Sequence, residues 1–337
     1  MIKKYFYKKG DRKAWLALRD QFSVKAMLGG SDISTVMNAN NFKSAIELYY
    51  QMVGFIPKSF MTNDKMAFGS GFEDTIAEMY QYWDKETNSV AENFELGLKV
   101  NPFRRMNAVI TNDKFPYLFA NIDGISGTTV IEIKNTSKFV LDIYKEPTPV
   151  LEFANCPAFV PPMYYLQLQQ YMMILEKSHG RFVFMIDGSE MKVIDIEADP
   201  FLQNLINEAS IDFGTRVELG KKIMKENQEE NHQLNLLSAI EPEVTDQETY
   251  NKFRSTQLEE FIEYRQDHTM MGNDRQFDIA LEYMKHSTII KEAKKLQTLA
   301  SNQLKTEFLK NSIETLDFDI NGKVTLKKRL SVSIKPN

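Results

Sequence analysis

The sequence predicts an α/β (α+β) protein: a mixed central sheet flanked by helices, then a mainly helical C-terminal extension that ends in a hairpin. Two strand–turn–strand patterns and two helical stretches carry this expectation. Residues 117–123 and 128–134 are β-rich and separated by Gly124 and Gly127, while 181–186 and 191–196 flank Asp187-Gly188, a two-residue hairpin turn. In 69–83, Phe72, Ile76, Tyr80 and Trp83 recur at helical spacing, and Pro161-Pro162 opens an almost wholly apolar helix through Leu175.

The remaining elements follow in order. Residues 11–55 read as two short helices around a turn, the first marked by Trp15, Leu16, Leu18 and Arg19, the second ending at Gly54 as a C-cap. Phe94, Leu96, Leu98 and Val100 alternate as a strand should. The order α–β–β–β–α–β places a small sheet between helices. After Pro200 the chain becomes polar: 201–225 is helical, and 226–248 is acidic with little periodicity. Residues 250–268 and 274–312 are long charged helices, and 315–334 is a hairpin turning at Asn321-Gly322. The expected division is a core over 1–233, a linker over 234–248 and the extension over 249–337.

Composition narrows the classes. With 337 residues, 43% hydrophobic and 26% charged, the chain has the make-up of a globular protein. The single cysteine, Cys156, excludes an internal disulfide, a four-cysteine zinc site and a self-contained iron–sulfur cluster. Residues 1–10 are basic but lack an apolar h-region, and no apolar run is long enough to span a bilayer, so the expected location is the cytoplasm. A net charge of −5 argues against broad, non-specific coating of nucleic acid, but not against a local positive channel.

The chemistry concentrates in Asp123-Gly124 and in Ile131-Glu132-Ile133-Lys134. Side chains alternate along a strand, so Glu132 and Lys134 share one face while Ile131 and Ile133 point into the core. An acid and an amine at the buried end of a strand are costly to desolvate without a partner. Magnesium, which prefers hard oxygens, can be that partner, held by Asp123, Glu132 and the Ile133 carbonyl. The other reading is a solvated Glu132–Lys134 pair worth under ~1 kcal/mol. Glu73, in G-S-G-F-E, lies on its helix beside Ala77 and Tyr80. It either serves a metal-bound water or a second ion, or is an acid favoured by the helix N-terminus. Gln167 and Tyr171, four apart, share a helix face. A buried glutamine needs a partner: a backbone group, or Lys134 or a phosphate that it orients. Ser31, in Gly29-Gly30-Ser31-Asp32, either caps a helix or donates to a phosphate with the helix amides. Arg19, behind Trp15, offers a fork to the same phosphate, or a surface salt bridge.

These pieces assemble into a resemblance. Asp123, Glu132 and Lys134 spell D-x8-E-x-K, the core of the PD-(D/E)XK nuclease superfamily. W-L-A-L-R, G-G-S-D-I, G-S-G-F-E, A-N-I-D-G, I-E-I-K and Y-Y-L-Q-L-Q-Q-Y occur in an order similar to that of YqaJ-like viral recombinases, across about residues 11–200. Those in turn resemble the lambda-type alkaline exonucleases of phage recombination. The resemblance implies a restriction-endonuclease-like core and magnesium-dependent 5′-to-3′ degradation of linear double-stranded DNA, with manganese as a substitute. It implies metal ligation by Asp123, Glu132 and Ile133, catalysis by Lys134 with Glu73 and Gln167, support from Tyr171, and a 5′-phosphate held by Arg19 and Ser31. It also implies a RecT-like annealing partner and a trimeric ring. Two departures stand out: a long Arg19–Ser31 spacing, and residues 235–337 beyond the short lambda-type enzyme. The alternatives are a PD-(D/E)XK endonuclease and a non-catalytic DNA-end-binding or assembly module.

Overall fold

The computed structural model describes residues 1–57, 64–151, 154–243, 245, 248–255, 274–311, 315–318, 322–327 and 331–335. The chain divides into two units, Met1–Ile262 and Glu263–Asn337. The first runs β1 (Ile2–Phe6), α1 (Arg12–Val24), α2 (Gly30–Val36), α3 (Ala45–Val53), α4 (Asp64–Tyr82), α5 (Ala91–Glu95), β2 (Arg104–Arg105), β3 (Ala108–Asn112) and β4 (Phe119–Ala120). It continues with β5 (Gly124–Ser126), β6 (Thr129–Thr136), α6 (Lys138–Ile143), β7 (Thr148–Leu151), β8 (Ala154–Cys156), α7 (Pro162–Leu175), β9 (His179–Ile186), β10 (Glu190–Glu197), α8 (Pro200–Glu226) and α9 (Glu230–Ser238).

A five-stranded mixed sheet, ordered β10-β9-β6-β5-β2, organises this unit. Only β6 and β9 are parallel, with Glu132 opposite Phe182 and Lys134 opposite Phe184. Parallel neighbours need a crossover, and α7 lies within it. Alternation along β6 then divides the packing. Ile131 and Ile133 face α4, joining Ile76, Ala77 and Tyr80 in one apolar cluster. Val130 faces the other side with Leu168, Met172, Phe182 and Phe184. Glu132 and Lys134 share that second face, as the alternation predicts, at the point where α7 passes.

Several expectations need correction. Residues 11–55 form three helices, not two. Residues 94–100 are not a strand: Phe94 lies in the last turn of the short α5, Leu96 caps it, Gly97 turns the chain at φ 66°, and Phe94, Leu96 and Leu98 are exposed. Their alternation has no partner strand to pair with. Of 117–123, only Phe119–Ala120 is strand and it pairs with β3, so the tight hairpin is β5–β6, turning at Gly127. The acidic stretch read as a linker contains α9, and Leu237 and Tyr250 are buried in the main core. The compact unit therefore continues well past residue 233.

In the second unit a helix spans Asp274–Asn311. Thr315–Phe318, Gly322–Lys327 and Ser331–Lys335 form a three-stranded antiparallel sheet rather than a lone hairpin. Asn321 of the expected turn, and 256–268 of the expected helix, lie outside the described residues. Among the described residues no helix is long and apolar enough to cross a membrane.

Candidate active site

The first carboxylate is positioned by a close approach of strands. Arg105 of β2 lies opposite Gly124 of β5, which lies opposite Ile131 of β6. A Cβ on Gly124 would sit 2.4 Å from the Phe103 ring and 2.8 Å from the Arg104 carbonyl oxygen, so only glycine lets β2 close here. Asp123, one residue ahead of β5, thus reaches past Ile131, and its Oδ2 accepts the Ile133 N–H at 2.7 Å. The N–H and C=O of one strand residue point the same way, so the Ile133 carbonyl also turns toward Asp123.

Glu132 is buried at 3% exposure. Its Oε1 accepts from Lys134 Nζ at 2.8 Å and from Gln167 Nε2 at 2.7 Å. Its Oε2 is buried with no hydrogen-bond partner among the described residues. Gln167 ties the pair together, its Oε1 accepting from Lys134 Nζ at 3.4 Å and its Nε2 donating to the Tyr171 hydroxyl at 3.0 Å. Lys134 Nζ also lies 4.7 Å from the centre of the Tyr164 ring, a cation–π contact. Burial pushes the Glu132 carboxyl up to about 8, with Asp123 and Glu73 adding to the rise and Lys134 opposing it. For Lys134, burial is the largest influence and acts to lower the pKa, but Glu132, Tyr164 and Asp123 together outweigh it and keep the amine protonated. Asp123 is raised by burial, against Lys134 and Arg105.

Glu73 reaches the site from α4. Its Oε2 accepts from Arg105 Nη2 at 2.5 Å, and burial and Asp123 raise its pKa while Arg105 restrains it. Gly30 sets α2 against α7: a Cβ there would lie 2.5 Å from Gln167 Cγ and 2.7 Å from a Tyr171 ring carbon. Ser31 does not cap α2. Gly29 takes that position, and the Asp32 carboxylate accepts its N–H at 2.9 Å. The Arg19 guanidinium stacks 5.0 Å from the Trp15 ring centre, with Arg12 at 5.8 Å.

One cavity of about 170 Å³ brings together every residue singled out from the sequence: Arg19, Ser31, Glu73, Asp123, Glu132, Ile133, Lys134, Gln167 and Tyr171. Trp15 and Asn121 also line it. Among the described residues no three His, Cys, Asp or Glu side chains are gathered around one ion position. A hard cation here would therefore take two carboxylates, a backbone carbonyl and waters, which suits magnesium. The unpartnered Glu132 Oε2 fits that donor set, since a buried carboxylate oxygen ordinarily has a partner.

The sequence reading missed Arg105. It lies on a two-residue strand, too short for any periodic signal.

Comparison with known proteins supports the family resemblance. Residues 14–178 match the YqaJ-like viral recombinase domain. The chain is 26% identical over 208 residues to the uncharacterized protein YqaJ of Bacillus subtilis (strain 168), covering 60% of this chain and 57% of that relative. It thus spans little more than half of that relative's length. Among solved structures it is similar to an alkaline exonuclease (LHK-Exo) from Laribacter hongkongensis, with 19% identity and a TM-score of 0.47, over 64% of this chain and 96% of that one. It is also similar to a phage-related exonuclease from Haemophilus somnus 129PT, with 10% identity and a TM-score of 0.38, over 59% and 96%.

Proposed function

We propose that this chain, whose residues 14–178 belong to the YqaJ-like viral recombinase domain family, is a magnesium-dependent exodeoxyribonuclease. In this reading it degrades linear double-stranded DNA from 5′ ends and leaves 3′ single strands for annealing. The observation that carries it is the buried Glu132 Oε2, without a hydrogen-bond partner among the described residues, on a residue that lines one cavity with Asp123, Lys134 and Arg19.

Asp123, Glu132 and the Ile133 carbonyl would hold the ion, which when bound supplies a Lewis acid for water and phosphate oxygen. Lys134 is the fixed positive donor beside it. Its ammonium, held between Glu132 and Gln167, can turn one N–H toward a phosphate oxygen as negative charge builds there. Gln167 keeps Glu132 and Lys134 in register by donating to one and accepting from the other. Glu73 accepts a hydrogen bond from the attacking water. Arg19, 5.0 Å from the Trp15 ring centre, and the Ser31 hydroxyl bind the terminal 5′-phosphate; a planar guanidinium suits two phosphate oxygens at once. A homo-oligomer, on the pattern of a trimeric ring, and a RecT-like annealing partner complete the reading.

The test is a rate comparison in magnesium on three substrates: 5′-phosphorylated linear duplex, 5′-hydroxyl linear duplex, and closed circular duplex. Fast release of nucleotides from the first, slower release from the second and none from the third is the expected result. Cleavage of the circle would turn the assignment to an endonuclease, and no hydrolysis of any would leave a DNA-end-binding module.

A further inference from the structure

Arg105 has no role in the reading above, yet with Lys134 it is one of two cations set among Glu73, Asp74, Asp123 and Glu132. Its Nη2 donates to Glu73 Oε2 at 2.5 Å, and its Nε lies 3.9 Å from Asp74. Its Nη1 is buried without a hydrogen-bond partner among the described residues. The backbone fixes it there: Arg105 is opposite Gly124, and the next residue, Met106, donates its N–H to the Asp123 carbonyl at 3.1 Å. Lys134 therefore serves the Glu132 side of the cluster and Arg105 the Glu73 side, with Asp123 between them. The charges on Asp123 and Arg105 act strongly on each other, Asp123 being the leading stabiliser of the guanidinium's charge against burial.

Glu73 and Asp123 line one cavity and their charges act on each other; left free, such a pair of acids would invite a second divalent ion, as paired acids do in two-metal nucleases. Here one of them is already paired with a guanidinium, which is always charged and cannot be displaced by deprotonation. We propose that Arg105 is a positioning residue that holds Glu73 beside the site and stands as a fixed cation where a second divalent ion would bind, so that the site takes one ion. The inference rests on the proposed metal site at Asp123 and Glu132.

The test counts bound Mn²⁺ in the full-length protein from the paramagnetic resonance signal of the free ion, without DNA. Wild type should bind one ion. Arg105→Gln should bind a second, and tighten the first about tenfold, the scale on which one neighbouring charge shifts a buried carboxylate. The double variant Arg105→Gln/Glu73→Gln should return to one ion. Two ions in wild type, or one ion at unchanged affinity in a folded Arg105→Gln variant, would overturn the proposal. If Arg105→Gln does not fold, Glu73→Gln decides. It should keep its single ion about tenfold more weakly, because Arg105 then acts unopposed on Asp123; undiminished affinity or loss of the ion would count against the proposal. Absence of any bound Mn²⁺ in wild type would instead remove the metal site itself. A salt bridge that only ties α4 to β2 would change the melting temperature and leave the ion count untouched.

Discussion

Glu132 concentrates the electrostatics of the site, because its two oxygens have opposite circumstances. Oε1 takes two hydrogen bonds and Oε2 takes none among the described residues. Removing the charge should therefore cost little stability while removing the chemistry. Glu132→Gln and Lys134→Ala are each expected to lose at least ~10² in hydrolysis rate, the scale for deleting one preorganised electrostatic group. Both should stay folded. Once Lys134 is gone, Glu132 avoids a bare buried charge by keeping its proton, since burial, with Asp123 and Glu73, already holds it up to about 8 even against Lys134. Nuclease rates alongside far-UV dichroism decide the matter; a folded variant of either kind with near wild-type rate would move the chemistry elsewhere. At this scale much was legible. Period-two alternation put Glu132 and Lys134 on one face, and four-residue spacing put Gln167 and Tyr171 together. Arg105 was invisible, because its role comes from a strand pairing across Gly124 and not from any local pattern.

At the level of elements, the site depends on how closely α2 meets α7 and β2 meets β5. Gly30→Ala tests the first contact. The added methyl would fall 2.5 Å from Gln167 Cγ and 2.7 Å from Tyr171, so α2 must back away or Gln167 must leave Glu132. Overpacking of this kind costs about 1–3 kcal/mol. The expected outcome is a lower melting temperature together with a lower kcat, and a variant unchanged in both would refute this account. A second element-scale prediction concerns β9 and β10, joined by Arg181 Nε to Asp195 Oδ1 at 2.5 Å. Burial alone would raise the Asp195 pKa, but Arg181 together with Lys85 outweighs it and holds the carboxyl below the usual carboxylate range. A folded-state pKa below the unfolded value adds stability above the unfolded pKa, and that stability is lost as pH falls through the folded one. Asp195→Asn should thus lower stability near neutral pH by under ~1 kcal/mol, as the half-exposed carboxylate dictates. The difference should vanish in strong acid, as urea denaturation at several pH values would reveal. The elements misread from sequence share a cause. Alternation in 94–100 predicts a strand only if a neighbour pairs with it, and Ser31 resembled a cap only because Gly29 has no side chain to advertise one.

For the whole molecule, the question is where the catalytic unit ends. Acidic residues without periodicity suggested a linker at 234–248, and few apolar residues there argued otherwise. In the folded chain those few carry the packing. Leu237 and Tyr250 are buried, the Tyr50 hydroxyl donates to Glu241 at 2.8 Å, Phe253 lies 6.0 Å from the Tyr50 ring, and Arg254 pairs with Glu241. Tyr50 belongs to α3, inside the main core, so these contacts belong to the first unit. Two truncations should therefore differ. A chain ending at Ile262 should fold and hydrolyse linear duplex at close to the full-length rate. A chain ending at Ser238 loses Glu241, Tyr250 and Phe253, and should be destabilised by about 3–5 kcal/mol, the cost of removing one large buried side chain. Against a total of roughly 5–15 kcal/mol this leaves little margin. Thermal melts and nuclease rates for both proteins distinguish the cases. If the longer truncation also fails to co-purify with an annealing protein that the full chain retains, residues 263–337 serve partner binding rather than hydrolysis. If it folds but loses hydrolysis, that region belongs to the active enzyme, and the boundary drawn from packing does not delimit the catalytic unit.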